Sequence, residues 1–315
     1  MTDLVDAFAA TYSRPLSQRT HRSALRQLFE TTGAAHPAQL TSQQLQDWAT
    51  AHAPANNTVR RRTSSALLFL DWCERHGHLE TAQPFRETAR RLLRSHPATY
   101  GKVQGRTPPR FLSREDAYLR LVAACQDGTD VGLRDELAIR LGLLGMRRSE
   151  LTGLTVANVA GRPSIRWTGK GNRPRQATAG SALLAVLERY LDRYAELLGH
   201  EPPGDHPLLA RTQRGGKGPA RSLSPDGRPI ANSNTVYRIV EARARKAGLG
   251  HVAPHDLRRS AATILHHAMS EDGGHRFDLL DIQKVLGHSD PAITMRCYLE
   301  PLQTEVLDRA AQFLD

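Results

Sequence analysis

The stretch HPATYGKVQGRTPPR, residues 96–110, most constrains how this chain can fold. It holds three prolines, two glycines, four basic residues counting His96, no acid and no apolar periodicity. Proline removes a backbone donor and glycine favours no regular conformation, so neither a helix nor a strand is expected to run through it. A chain of 315 residues divided there gives two pieces, each long enough to bury its own core. The expected organisation is a helical domain over 1–95, a linker over 96–110 and a second domain over 111–315. Lys102 and the linker arginines give that segment the charge to follow a polyanion backbone.

The first piece reads as helices. LSQRTHRSALRQLFETTG (16–33) spaces Leu25, Leu28 and Phe29 for one helical face and stops at Gly33. TSQQLQDWATAH (41–52) opens on a polar cap and sets Leu45 and Trp48 three apart. NNTVRRRTSSALLFLDWCERHG (56–77) carries Val59, Ala66, Leu67, Leu70 and Cys73 on a broad stripe. Its opening holds Arg60, Arg61 and Arg62 beside Ser64 and Ser65. Three guanidiniums and small hydroxyls at a helix start suit phosphates and base edges in a nucleic-acid groove; a solvated basic face is the ordinary alternative. Charge favours the former. The chain is +11 overall, and residues 1–110 carry fifteen basic against eight acidic side chains, the remainder 28 against 24.

The second piece is mixed. After Phe111, LSREDAYLRLVAAC starts a capped helix, and Leu133, Leu137, Leu141 and Leu144 form a stripe that ends at Gly145. SIRWTGKGNRPRQAT (164–178) predicts a hairpin with a glycine-rich turn, and 180–198 an amphipathic helix. Prolines and glycines without periodicity make 200–230 a long surface loop. Helices are expected at 232–248, 254–269, 276–286 and 290–298, with a last amphipathic one at 304–315. The fold class is therefore mainly α: a helical N-terminal domain, then a mostly helical α/β domain with a small antiparallel sheet.

Several classes of function fall away. Cys73, Cys125 and Cys297 are odd in number and contain no CxxC pair, so neither a disulfide framework nor a zinc knuckle is expected. MTDLVDAF is acidic where a secretory signal is basic, and LAIRLGLLGM is interrupted by Arg140; a soluble cytoplasmic protein without a membrane partner is expected. His251 and His255 have Pro254 between them, His266 and His267 point apart as neighbours, and no HExxH occurs, so no metal is expected. Lys170 is followed by Gly171 and has Ser164 where a phosphate-binding loop needs glycine, and GGKG at 215–218 fails likewise. No nucleotide-driven reaction is indicated.

What remains is an ordered set of cationic and proton-carrying groups. His255 and Arg258 stand three apart just after Pro254, sharing a face near a helix start that already favours anions. Arg147 follows the Gly145 stop with Glu150 three residues on, placed to clamp a phosphate bidentately. Lys170 sits at the hairpin tip and, unlike arginine, can give up a proton. His288 and Tyr298 follow ten residues apart. Each alone has an ordinary reading as a surface ion pair, a turn lysine or a half-buried tyrosine.

Together, GMRRSELTGL (145–154), GKGNRPRQ (169–176), HDLRRSAAT (255–263) and LGHSDPAITMRCY (286–298) resemble the tyrosine recombinases, also called the phage integrase family. The resemblance covers residues 111–300, and the N-terminal module is similar to that family's core-binding domain. It implies that Tyr298 is the nucleophile, attacking a scissile phosphate to leave a 3′-phosphotyrosyl enzyme and a free 5′-hydroxyl. Arg147 and Arg258 match the arginines that hold the non-bridging oxygens. Lys170 matches the lysine that protonates the leaving oxygen, His255 the residue that assists proton transfer, His288 the one that bonds the phosphate, and Glu150 an acidic support for the first arginine. The implied partners are double-stranded DNA carrying a specific recombination site and further copies of the chain, as a tetramer on DNA. No cofactor is implied, because the phosphodiester energy is stored in the covalent link. The family's last helix docks on a neighbouring protomer; here Val306, Leu307, Ala310, Phe313 and Leu314 suit that or packing on their own domain. The start directly at the core-binding module resembles the simpler recombinases.

Integration or excision of a mobile element is the preferred role at this point. Xer-like resolution of chromosome or plasmid dimers is the alternative. A non-catalytic DNA-binding protein and a type IB topoisomerase are further possibilities that chemistry on DNA must separate.

Overall fold

The computed structural model describes the chain except for Arg14 and residues 98–110, 170–171, 215–220, 231–232, 271–273 and 288–315. The chain forms two compact units, Met1–Thr107 and Pro108–Asp315.

The first unit is built from α1 (Thr2–Ala10), α2 (Pro15–Thr32), α3 (Ser42–Thr50), α4 (Asn56–Arg75) and α5 (Gln83–Ser95). Local sequence explains the starts. Thr41 caps α3 by accepting from the Gln44 backbone N–H at 3.2 Å, and the Gln44 carboxamide oxygen accepts from the Thr41 N–H at 2.9 Å. Helix α5 opens with proline in its first turn and buries Phe85, Thr88, Ala89 and Leu92, a period that gives one apolar face. These faces meet over Leu25, Leu28, Leu45, Trp48, Phe69 and Leu70. Aromatic rings fill the centre; Phe69 packs edge-on against Phe8 and Phe29 and stacks with Trp72.

In the second unit α6 (Asp130–Leu143) runs through the core. Thr129 caps it by accepting from the Gly132 amide at 2.9 Å. Leu137, Ala138, Ile139 and Leu141 are buried, and so are Arg134, Asp135 and Glu136 on its first turns. Those charges are paired: Arg134 with Asp135 at 2.6 Å, Arg243 with Asp135 at 2.8 Å and Arg140 with Glu136 at 2.8 Å. Unpaired, each would carry a large desolvation cost. Helices α8 (Ser181–Leu198), α9 (Ser233–Lys246) and α10 (Pro254–His266) pack around α6, and α11 (Leu279–Leu286) packs on α10. Gly142 lets α10 approach, since a Cβ there would meet Leu257 Cδ1 at 2.8 Å.

The expected hairpin is present. β1 (Ser164–Thr168) pairs antiparallel with β2 (Pro174–Thr178), with Trp167 opposite Arg175. Two expectations need correction. The segment 200–230 is not wholly a loop: β3 (Ala210–Arg214) and β4 (Arg221–Pro229) form a second antiparallel pair with an irregular register at Ala210/Arg211. Arg211 pairs with Asp226 across it, and Leu223 is buried. The helix expected after Phe111 is a π-helical stretch, Asp116–Val122, followed by a 3-10 turn, Ala123–Cys125. The expected linker beyond Pro97, Lys102 within it, and the helices at 290–298 and 304–315 lie outside the described residues.

Candidate active site

Just past the end of α6 stands Gly145, whose φ of +93° is a backbone region open mainly to glycine. The turn brings Arg147 out just before α7 (Arg148–Leu151), a single turn carrying Glu150. Glu150 is buried and accepts the Arg147 backbone N–H at 2.8 Å, Arg147 Nη1 at 2.8 Å and the Trp167 indole N–H at 3.2 Å. Burial alone would raise its pKa, but the Arg147 amide and guanidinium, with Arg175 beyond them, outweigh this and hold the carboxyl below its usual range. Glu150 is thus an ionised anchor, and the Arg147 side chain it orients remains 25% exposed.

Pro254 starts α10, and the Asp256 carboxylate accepts the Ala253 amide at 2.9 Å, fixing the helix start. Arg258 projects from the first turns into the interior and is 1% exposed. Its Nη1 donates to Gly145 O and its Nη2 to Leu286 O. One guanidinium therefore ties the turn before Arg147 to the turn before His288. Arg147 Nη2 adds a long contact, 3.4 Å, to Gly287 O.

His255 lies on the same first turn but opens to solvent. Protein packed around the ring lowers its pKa, followed by the repulsion of Arg259, Arg258 and Arg147, to about 4. The imidazole is therefore neutral near pH 7 and available to accept a proton.

The structure brings together Arg147, Glu150, His255 and Arg258. Lys170, His288 and Tyr298 lie outside the described residues, although the residues that precede the first two, Gly169 and Gly287, are at this site. Two groups at the site were not singled out from the sequence, Trp167 and Arg175. The available signal was their register across a hairpin turn of known length. Among the described residues no cluster of His, Cys, Asp or Glu can hold a metal, and no helix is long and apolar enough to cross a membrane.

The basic start of α4 divides by role. Arg60 turns in and donates to Leu93 O at 2.8 Å and His96 O at 3.2 Å, at the end of α5. Arg62 donates to Trp48 O at 3.1 Å, with Ala49 O and Ala51 O nearby, and its guanidinium lies 5.6 Å from the Trp48 ring centre. These carbonyls lie at or just past the C-terminal ends of α3 and α5, where helical donors run out. Arg61 alone of the three is exposed, in a groove shared with Arg19, Thr20, Ser23 and Gln27 of α2.

The phage integrase family profile matches residues 112–305. The tyrosine recombinase XerC of Mycobacterium sp. (strain KMS) is 32% identical over 313 residues, covering 93% of each chain. XerC of Corynebacterium glutamicum (strain ATCC 13032) is 30% identical over 239 residues, which span 75% of this chain and 66% of that protein. The fold is similar to that of a lambda integrase dimer bound to a COC′ core site, with a TM-score of 0.61 at 14% identity, covering 94% of this chain and 76% of the other. It is also similar to XerH bound to difH substrate, with a TM-score of 0.59 at 18% identity, covering 95% and 80%. With the family profile spanning most of the catalytic unit and the Mycobacterium XerC matching over 93% of each chain, the chain belongs to the phage integrase family and is a tyrosine recombinase.

Proposed function

We propose that this DNA-cleaving and rejoining enzyme acts at one specific site as a Xer-type recombinase, through a 3′-phosphotyrosyl bond on Tyr298. The convergence of Arg147, Glu150, His255 and Arg258 carries the chemical part of the reading. Arg147 contacts the scissile phosphate and Arg258 adds its charge from the floor of the site, where a low dielectric makes it count as negative charge develops. Neutral His255 takes the phenol proton. The Tyr298 oxygen bonds to phosphorus, the P–O5′ bond breaks, Lys170 protonates the leaving oxygen, and His288 bonds the phosphate. Attack by a 5′-hydroxyl from a second duplex reverses these steps, so no cofactor is consumed. A tetramer on two duplexes in the cytoplasm supplies both.

End-to-end similarity to XerC supports resolution of chromosome or plasmid dimers over integration and excision of a mobile element, which uses the same chemistry. Sequencing the junctions made by the purified protein on a plasmid library of its own genome separates them. Junctions between two copies of one site support dimer resolution, and junctions joining two unlike sequences support the mobile-element role. Relaxation of supercoils without junctions contradicts both.

For the N-terminal unit, Arg61 and Arg19 are the proposed phosphate contacts, with Arg60 and Arg62 shaping the helices behind them; Lys102 is proposed to follow the backbone from the linker. Arg61→Ala should weaken DNA binding and lower the salt slope of log K by about 1. Arg62→Ala should instead lower thermal stability and leave that slope unchanged. Fluorescence anisotropy across a salt series reads both; equal slopes for wild type and Arg61→Ala would remove Arg61 from the interface.

A further inference from the structure

Arg175 has no part in the chemistry assigned above, yet its side chain is only 11% exposed and runs between the β1–β2 hairpin and the 285–287 turn. It stands opposite Trp167, and its guanidinium carbon lies 4.9 Å from the centre of that ring. Nη2 donates to Val285 O, and Nη1 lies 3.8 Å from Glu150 Oε2. A flat, delocalised cation stacks on a ring and donates in its own plane at the same time, which an ammonium does not.

Two glycines make room for it. A Cβ on Gly169 would meet Arg175 Cδ at 2.9 Å and Cγ at 3.3 Å, and one on Gly287 would meet Cζ and Nε, each at 2.8 Å. Gly169 immediately precedes Lys170, and Gly287 immediately precedes His288. The stem of Arg175 therefore packs on the backbone leading into one site residue, and its head on the backbone leading into another. Through Glu150, the head also faces the group that orients Arg147.

We propose that Arg175 is a positioning residue for DNA cleavage, wedged between Gly169 and Gly287 so that it fixes the two backbone segments that lead into Lys170 and His288. This rests on the catalytic roles proposed above. The test is single-turnover cleavage of a nicked suicide duplex, with DNA affinity and thermal midpoint measured on the same preparations. Arg175→Gln should cleave on the order of 100-fold more slowly, the cost of misplacing reacting groups by about 1 Å, with affinity retained. Arg175→Lys should not restore the rate.

Gly169→Ala tests the same geometry without touching the guanidinium. It should slow cleavage in the wild-type background and add nothing to Arg175→Ala, where the stem it crowds is gone. Cleavage by Arg175→Gln at the wild-type rate, independent effects of the two alanine substitutions, or a rate loss matched by lost affinity overturns the proposal. A wild-type protein that forms no adduct sinks the catalytic reading itself, and the proposal with it. That outcome is distinct from a wild type that cleaves beside an Arg175 variant that cleaves equally well.

Discussion

Tyr298→Phe should form no covalent DNA adduct and should cleave at least on the order of 10⁴-fold more slowly than wild type, while still shifting DNA in a gel. The substitution removes one oxygen and almost no volume. That oxygen is the only protein atom the proposed reaction joins to phosphorus, so no other side chain named in the site replaces it. A phenol near pKa 10 is a poor nucleophile at neutral pH. In the proposed reaction the cations of Arg147 and Arg258, with neutral His255 as proton acceptor, are the groups that activate it. Binding should survive because the phosphate contacts proposed for the N-terminal unit and Arg147 are untouched. An adduct formed by the Phe variant would mean that another side chain is the nucleophile.

Glu150→Ala should have the second-largest effect, on both rate and stability. It leaves the Arg147 amide and the buried Trp167 indole N–H without their acceptor and frees the Arg147 side chain to leave its position. Each buried donor left unpaired costs about 1–3 kcal/mol, so with two of them a loss of about 2–6 kcal/mol in unfolding free energy is expected. Cleavage should fall on the order of 100-fold as the clamp loses its aim. Because the folded-state pKa of Glu150 is depressed, its stabilisation is complete above the ordinary carboxylate range and is lost as pH falls through the folded value. The wild-type advantage over Glu150→Ala in denaturant melts should therefore shrink in acid. An advantage unchanged between pH 7 and pH 3 would contradict the ionised anchor.

The residues that converge at the candidate site are more legible in the sequence than the packing is. Arg147, Glu150, His255 and Arg258 fall in short motifs whose spacing places each at a helix start or stop, and the fold brings those ends together. The β3–β4 pair was hidden because β4 contains Pro225, Gly227 and Pro229 and lacks alternation; cross-strand partners, including Arg211 with Asp226, make the pairing. Arg60 and Arg62 read locally as part of a basic DNA-facing cluster. Their inward turn depends on exposed helix-end carbonyls of α3 and α5, acceptors that no local pattern reveals. Arg175 was overlooked for a similar reason. It sits on a weakly apolar strand, and nothing local reveals that Trp167, Glu150 and two glycines from separate segments enclose it.

The most direct test of the central claim is the covalent linkage itself. Wild-type protein trapped on a nicked duplex is digested with protease and nuclease, and the nucleotide-bearing peptide is sequenced by mass spectrometry. A 3′-phosphate esterified to Tyr298 is the predicted result; a link to any other residue, or through a 5′-phosphate, would contradict the account.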